Sequence, residues 1–484
     1  MAGTAPPTTG ATPSRALIVW TLVLTGAATF MAALDNLVVT TAIPVIREDL
    51  GGGLDDLEWI VNAYTLPFAC LLLPAAALGD RIGRRRVFAL GAAVFTLASA
   101  GAALADSTGL LIAARAVQGV GAAGIFPLSI TLITAAVPAA RRGAALGIWG
   151  AINGLAVAGG PLVGGAITEH MSWHWIFWLN VPIGVALVPL IRARIAESRV
   201  EGTRLDPVGT VLVSAGLFGV LLGIVRGSEH GWTSGSVLTG FVVGGLLLIA
   251  FVAWELRTPS PMLPMRLFRS RAFSTVNAAG LLMYAGMFGS IFLLTQFLQF
   301  IQHYSPTEAG LRMLPWTAMP LVVTPFAGAL ADRIGGRPIV ATGLVAMATG
   351  LGWIAVLADP DVSYVSQVPA FVLCGAGMAL FFAAVSPMVM GAVQPREQGI
   401  ASGVSNALRE LGGALGVSVL ASVFAANGGY ETPQRFTDGL TPAVWGGVAA
   451  LLAAAVTILL FPTRREPAPA PAEMPAPERE TVTV

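Results

Sequence analysis

Long apolar stretches alternate with short polar joints along the whole of this 484-residue chain. A helix needs about 20 predominantly apolar residues to cross a bilayer. Fourteen stretches meet that rule, starting near Leu17, Leu57, Val87, Leu110, Ala144, Trp173, Pro207, Val237, Phe273, Ala309, Ile339, Val368, Ile400 and Ala443. The joint "LGDRIGRRR" (78–86) returns as "LADRIGGRP" (330–338), which sets Asp80 and Asp332 252 residues apart. Six helices occupy less than that, so the excess is an inserted pair. The pattern predicts an all-α integral membrane protein of two pseudo-symmetric six-helix bundles plus two inserted helices. The bundles are expected over 17–192 and 273–462, and the insert with its linkers over 193–272. Repeated halves around a site at their shared midplane are the signature of alternating-access transporters.

Composition agrees with the pattern. Hydrophobic residues make up 55% and charged residues 11% of the chain, against about 25% charged in soluble proteins. A net charge of +1 gives no nucleic-acid footprint. Every basic residue is Arg, and alternating the spans places 21 of them on one face and four on the other (Arg47, Arg226, Arg312, Arg435). The positive-inside rule then sets both termini in the cytoplasm of a multi-pass cell-membrane protein. No cleavage pattern closes the first apolar run, which reads as a retained helix. Residues 1–16 and the Pro-, Ala- and Glu-rich tail 463–484 are expected to be disordered. Cys70 and Cys374 lie in apolar runs and read as packing residues, and the four histidines lack metal-ligand spacing. Without a phosphate loop or a G-x-S-x-G elbow, the expectation is a non-enzyme with no cofactor and no metal.

The chemistry sits in the few ionisable residues inside the spans. Asp35 interrupts "MAALDNLVVTTAIP" (31–44), where a membrane-buried Asp costs roughly 2.5–3.5 kcal/mol. Ending the first helix near Thr41 puts Asp35 about 9 Å from its outer end, and Arg115 lies roughly 8 Å into the fourth helix from the same face. Opposite charges at matching depth compensate each other if the helices are neighbours. A carboxylate pulled one way by burial and the other by a guanidinium can pick up and release a proton. Glu410, beside Arg409 in "SNALRELGGALG" (405–416), is a second candidate for proton coupling. One charge crossing 100 mV supplies roughly 2.3 kcal/mol, equivalent to about a fiftyfold gradient of a neutral solute. In "NGLAVAGGPLVGGAITE" (153–169), Gly160, Gly164 and Gly165 allow close helix approach and Pro161 permits a bend, as a gate requires.

These motifs resemble the major facilitator superfamily, in particular its fourteen-helix drug:proton antiporter family, over about residues 17–461. "LDNLVVTTAIP" (34–44) is similar to the signature whose Asp couples protons, which maps onto Asp35. "RAVQGVGAA" (115–123) is similar to the motif whose Arg assists, which maps onto Arg115. "GDRIGRRR" (79–86) resembles the loop motif that implies gating by Asp80, Arg81, Gly83 and Arg84, with Asp332, Arg333 and Gly335 in the second copy. "AGGPLVGG" (158–165) is similar to the antiporter motif, and Asn62 in "WIVNAY" stands where some cationic-drug exporters carry Asp. The resemblance implies a proton-driven exporter of amphipathic small molecules, working in the bilayer as a monomer. The cavity wall is expected to include Asn36, Asn62, Asn153, Tyr284, Gln296 and Asn406. Alternatives are export of an endogenous natural product or lipid, and import of a solute on the same fold.

Overall fold

A computed structural model describes residues 14–51, 54–138, 141–200 and 205–460. The tail expected over 463–484 and residues 1–13 lie outside them. Among the described residues there is no strand, and the helices are α1 (Arg15–Leu50), α2 (Leu54–Ile82), α3 (Arg84–Ala103), α4 (Thr108–Ala136), α5 (Arg142–His170), α6 (His174–Trp178), α7 (Asn180–Arg194), α8 (Pro207–His230), α9 (Gly235–Glu255), α10 (Arg271–Gln296), α11 (Pro306–Thr317), α12 (Met319–Ile334), α13 (Gly336–Leu357), α14 (Tyr364–Gly391), α15 (Gln398–Asn427) and α16 (Pro433–Leu460). Each of the fourteen expected spans is one of these, the sixth being α6 with α7 and the tenth α11 with α12.

Local signals start the helices. Ser14, Asp206 and Ser270 accept backbone N–H groups at N-caps, and Ser305 closes a capping box with Glu308 ahead of Pro306. The repeated joint has one geometry in both halves, because Gly83 and Gly335 take φ of 121° and 91°. Only glycine adopts such values without strain.

Lipid offers helices no hydrophobic drive to associate, so small residues bring backbones together. Gly91 of α3 meets Gly121 of α4, and Gly219 of α8 meets Gly244 of α9. Helices α1–α7 pack mainly on one another, as do α10–α16, and the halves meet where α2 touches α15 and α5 touches α11, α12 and α14. Helix α4 is the most enclosed span, with 83% of its apolar window buried, whereas α9 has 17% and turns its surface outward. The insert lies across the seam between the halves, with α8 against both α2 and α15.

Two boundaries differ from the sequence expectation. Helix α1 does not end near Thr41 but runs 36 residues to Leu50, about 54 Å. Its extension carries Asp49, which accepts the Trp173 indole N–H at 2.8 Å. Helix α16 begins ten residues before Ala443, at Pro433. In both, the extension leaves polar residues exposed while apolar ones, Ile46 and Phe436, are buried against neighbouring elements.

Candidate functional site

Asp35 and Arg115 meet. Both side chains are fully buried, and the guanidinium Nη1 donates to Asp35 Oδ2. Two further donors converge on the other carboxylate oxygen: Asn180 Nδ2 at 2.7 Å and Gln118 Nε2 at 3.2 Å. Gln118 in turn accepts from Arg115 at 3.0 Å and donates to Ser99 Oγ at 2.8 Å. Arg115 Nε reaches the Ile60 carbonyl at 3.2 Å, and its guanidinium lies 4.4 Å over the Tyr64 ring. Tyr64 itself donates to the Ala32 carbonyl at 3.1 Å. Helices α1, α2, α3, α4 and α7 therefore supply one polar cluster inside the first bundle. Each of the three donors on this carboxyl group is a contact that protonation weakens.

Helix α5 links this cluster to the other half. Gly159 and Gly160 face Leu34 and Leu37, the α1 neighbours of Asp35, and a Cβ at Gly160 would come 2.6 Å from Leu37 Cβ. Further along, Gly165 faces Thr307 of α11, and Glu169 accepts the Thr307 hydroxyl at 3.0 Å. Gly164 is buried, and Pro161 lies between these contacts. One helix thus touches the wall of the Asp35 site and the opposite bundle.

The two copies of the repeated joint differ. Asp80 is buried and accepts Arg84 Nε at 2.7 Å, while its backbone carbonyl takes the Val200 N–H. Its other oxygen has no partner and points at the start of α15, where a Cβ on Gly399 would come within 2.5 Å. Arg81 is exposed beside this contact. In the second copy Asp332 and Arg333 are both exposed. The first joint is packed shut against the opposite half and the second is open to solvent.

A cavity of about 60 Å³ lies between the halves, lined by residues that include Trp149, Asn277, Tyr284, Ser405, Asn406 and Arg409. Such a volume holds a few waters and is well below the roughly 300–1,000 Å³ of a drug-sized site. The halves are therefore drawn together. Of the residues expected in the wall, Tyr284 and Asn406 line it, whereas Asn36, Asn62, Asn153 and Gln296 do not. Asn153 is committed to the Trp149 carbonyl at 2.9 Å. Gln296 sits at the far end of α10 and accepts the Tyr430 hydroxyl. Buried amide oxygens of Asn36 and Asn153 have no partner. Glu410 makes no hydrogen bond to the Asp35 cluster among the described residues and pairs with Arg409 at 3.0 Å, the guanidinium also lying 5.0 Å from the Phe126 ring centre. Sequence reasoning missed Gln118 and Asn180. The available signal was the i, i+3 spacing of Arg115 and Gln118 and a lone Asn in "FWLNVPIG".

The Major Facilitator Superfamily profile matches residues 25–294 and again 276–483. The chain is 38% identical over 465 residues to the cephamycin export protein CmcT of Amycolatopsis lactamdurans, covering 94% of each. It is 35% identical over 408 residues to the multidrug resistance protein Stp of Mycobacterium tuberculosis, covering 84% of this chain and 76% of that one. With the multidrug export protein EmrB of Escherichia coli it shares 32% over 430 residues, 88% of this chain and 83% of that one. Among solved structures, the proton:xylose symporter XylE superposes with a TM-score of 0.66 at 14% identity, covering 92% of this chain and 95% of that one.

Proposed function

This chain belongs to the Major Facilitator Superfamily, and from that premise we propose that it is a proton-coupled antiporter exporting amphipathic drugs or antibiotics by alternating access. The membrane is the cytoplasmic membrane, with both termini in the cytoplasm, and the monomer is the working unit. The observation that carries the reading is the buried Asp35–Arg115 pair, further held by Asn180 and Gln118.

The cycle follows from that cluster. A proton reaching Asp35 from outside neutralises the carboxylate and weakens its hold on Arg115. Helix α1 then shifts against α4, and α5, seated on Leu34 and Leu37, transmits the shift to α11 and α12. The cavity opens toward the Arg-rich side, takes substrate, and closes as Asp35 releases its proton inward. Asp80, Arg81, Gly83 and Arg84, mirrored by Asp332, Arg333 and Gly335, act as the gates, and Gly160, Pro161, Gly164 and Gly165 form the pivot.

Purified protein in proteoliposomes tests the function: an imposed pH gradient should drive accumulation of an amphipathic cation such as ethidium. Absence of any pH-driven flux across a panel of drugs would refute it. A second reading, export of an endogenous natural product, is favoured by the likeness to a cephamycin export protein. The resistance profile of a deletion strain separates the two.

Two substitutions probe the gates and the cavity. Asp80→Asn weakens the charge-assisted hydrogen bond with Arg84, worth about 1.5–3 kcal/mol, that positions Asp80 against the start of α15. Impermeant maleimide should then label a Ser405→Cys probe from the Arg-rich side at least about tenfold faster. An unchanged rate would remove Asp80 from the gate. Glu410→Gln leaves Arg409 without its counter-charge at the cavity wall, so export of cationic substrates should fall by up to about fivefold, the scale of a partly exposed ion pair. Neutral substrates should be little affected, and equal losses would place Glu410 outside substrate selection.

A further inference from the structure

A second cavity, about 420 Å³, lies outside the central site and is lined by apolar side chains alone, among them Leu73, Leu217, Phe251, Leu263, Phe268 and Leu408. It is bounded by α2, by both inserted helices, by the segment joining α9 to α10, and by α15. The outer face of α15 (Leu408, Leu411) lines it, while Ser405, Asn406 and Arg409 of the same helix line the central cavity.

The walls are fastened by polar bonds. Helix α8 is tied to the first half by the Ser214 hydroxyl on the Cys70 carbonyl, and to the second by the Ser418 hydroxyl on the Ile224 carbonyl. Buried Asp206 accepts the Trp254 indole N–H and the Gly209 amide. Neighbouring Glu255 accepts the Leu263 amide at 3.1 Å and so fixes the joining segment as the floor. Arg266, in that floor, pairs with Glu397 just before α15. Its volume falls in the range of sites that take small molecules, and such a fastened apolar space does not collapse on itself.

The segment joining α9 to α10, and the start of α10, carry unneutralised charge. Arg257, Arg269 and Arg271 are exposed, and none makes an ion pair among the described residues. Arg269 directly follows the lining residue Phe268. Basic residues bordering a membrane helix attract anionic headgroups, and an apolar slot opening beneath them accepts a hydrocarbon chain. We propose that this groove is a phospholipid site, taking an acyl chain of an anionic lipid between the insert and α15 with its headgroup on Arg269 and Arg271. The site is independent of proton coupling and of the cargo. It gives the inserted pair a role, that of holding a lipid against the seam where the halves move.

The test uses the full chain purified from mixed micelles of equimolar phosphatidylglycerol and phosphatidylcholine, with retained lipid measured by mass spectrometry after gel filtration. Wild type should retain phosphatidylglycerol over phosphatidylcholine by on the order of tenfold, as expected for two arginines near one headgroup. Arg269→Gln with Arg271→Gln, both on the surface, should abolish the preference. Leu217→Trp should fill the groove and release lipid, whereas Val365→Trp, on the exposed start of α14, should change nothing. Equal retention of the two lipids by wild type, an unaltered preference in the double Gln variant, or unaltered retention in Leu217→Trp would each overturn the assignment. So would retention of an export substrate in place of phosphatidylglycerol, which would make the groove part of the substrate path.

Discussion

Vesicles carrying Asp35→Asn protein are expected to lose substrate accumulation driven by an imposed pH gradient. Each proton moving through 100 mV can sustain about a fiftyfold solute gradient, so the accumulation ratio should fall from tens toward one. The substitution is nearly isosteric. A single amide oxygen still accepts either from Arg115 or from Asn180 and Gln118, so the cluster keeps part of its bonding while losing the group that titrates. The cavity residues Tyr284, Asn406 and Arg409 belong to another site, and downhill exchange of substrate should therefore persist. That split between lost coupling and retained exchange distinguishes a coupling residue from a structural one. Undiminished pH-driven accumulation in Asp35→Asn would sink the mechanism, whereas loss of both activities in well-folded protein would move Asp35 into substrate binding.

Much of this architecture is legible in the sequence because the bilayer imposes a length on every span and a sign on every loop. Asp35 and Arg115 stand out for the same reason, since charge within an apolar run is costly enough to be noticed. Asn180 and Gln118 carry no charge, and polar amides on membrane helices commonly serve as interhelical bonds. Their convergence on Asp35 depends on which way α4 and α7 are turned, and periodicity in a uniformly apolar run does not record that. Gln296 and Asn153 find partners away from the small central cavity on the same ground: a residue type names a capacity for hydrogen bonding, while helix rotation and depth assign the partner. The end of α1 was obscured differently. Acidic residues after Pro44 look like a loop, yet beyond the lipid a helix is held by whatever packs on it, here the Trp173 indole on Asp49. The unequal burial of Asp80 and Asp332 is equally invisible in two nearly identical strings, because it reflects how the halves are closed together.

Arg115→Met should be the most destabilising single change in the first bundle. It leaves the Asp35 carboxylate buried with only two neutral donors, and breaking a buried ion pair from one side costs about 3–5 kcal/mol. The converse loss is milder, because Arg115 keeps the Ile60 carbonyl, the Gln118 oxygen and the Tyr64 ring. Combining Arg115→Met with Asp35→Asn removes both charges, so most of the lost stability should return. Thermal unfolding of the purified variants gives the comparison, with the double variant more stable than Arg115→Met alone despite carrying one change more. Additive losses would mean that the two residues are stabilised separately by their neighbours and that the pair is no unit. A recovered fold in the double variant, joined to absent pH-driven accumulation, would show that the bundle does not need these charges to assemble and that their remaining use is to move a proton.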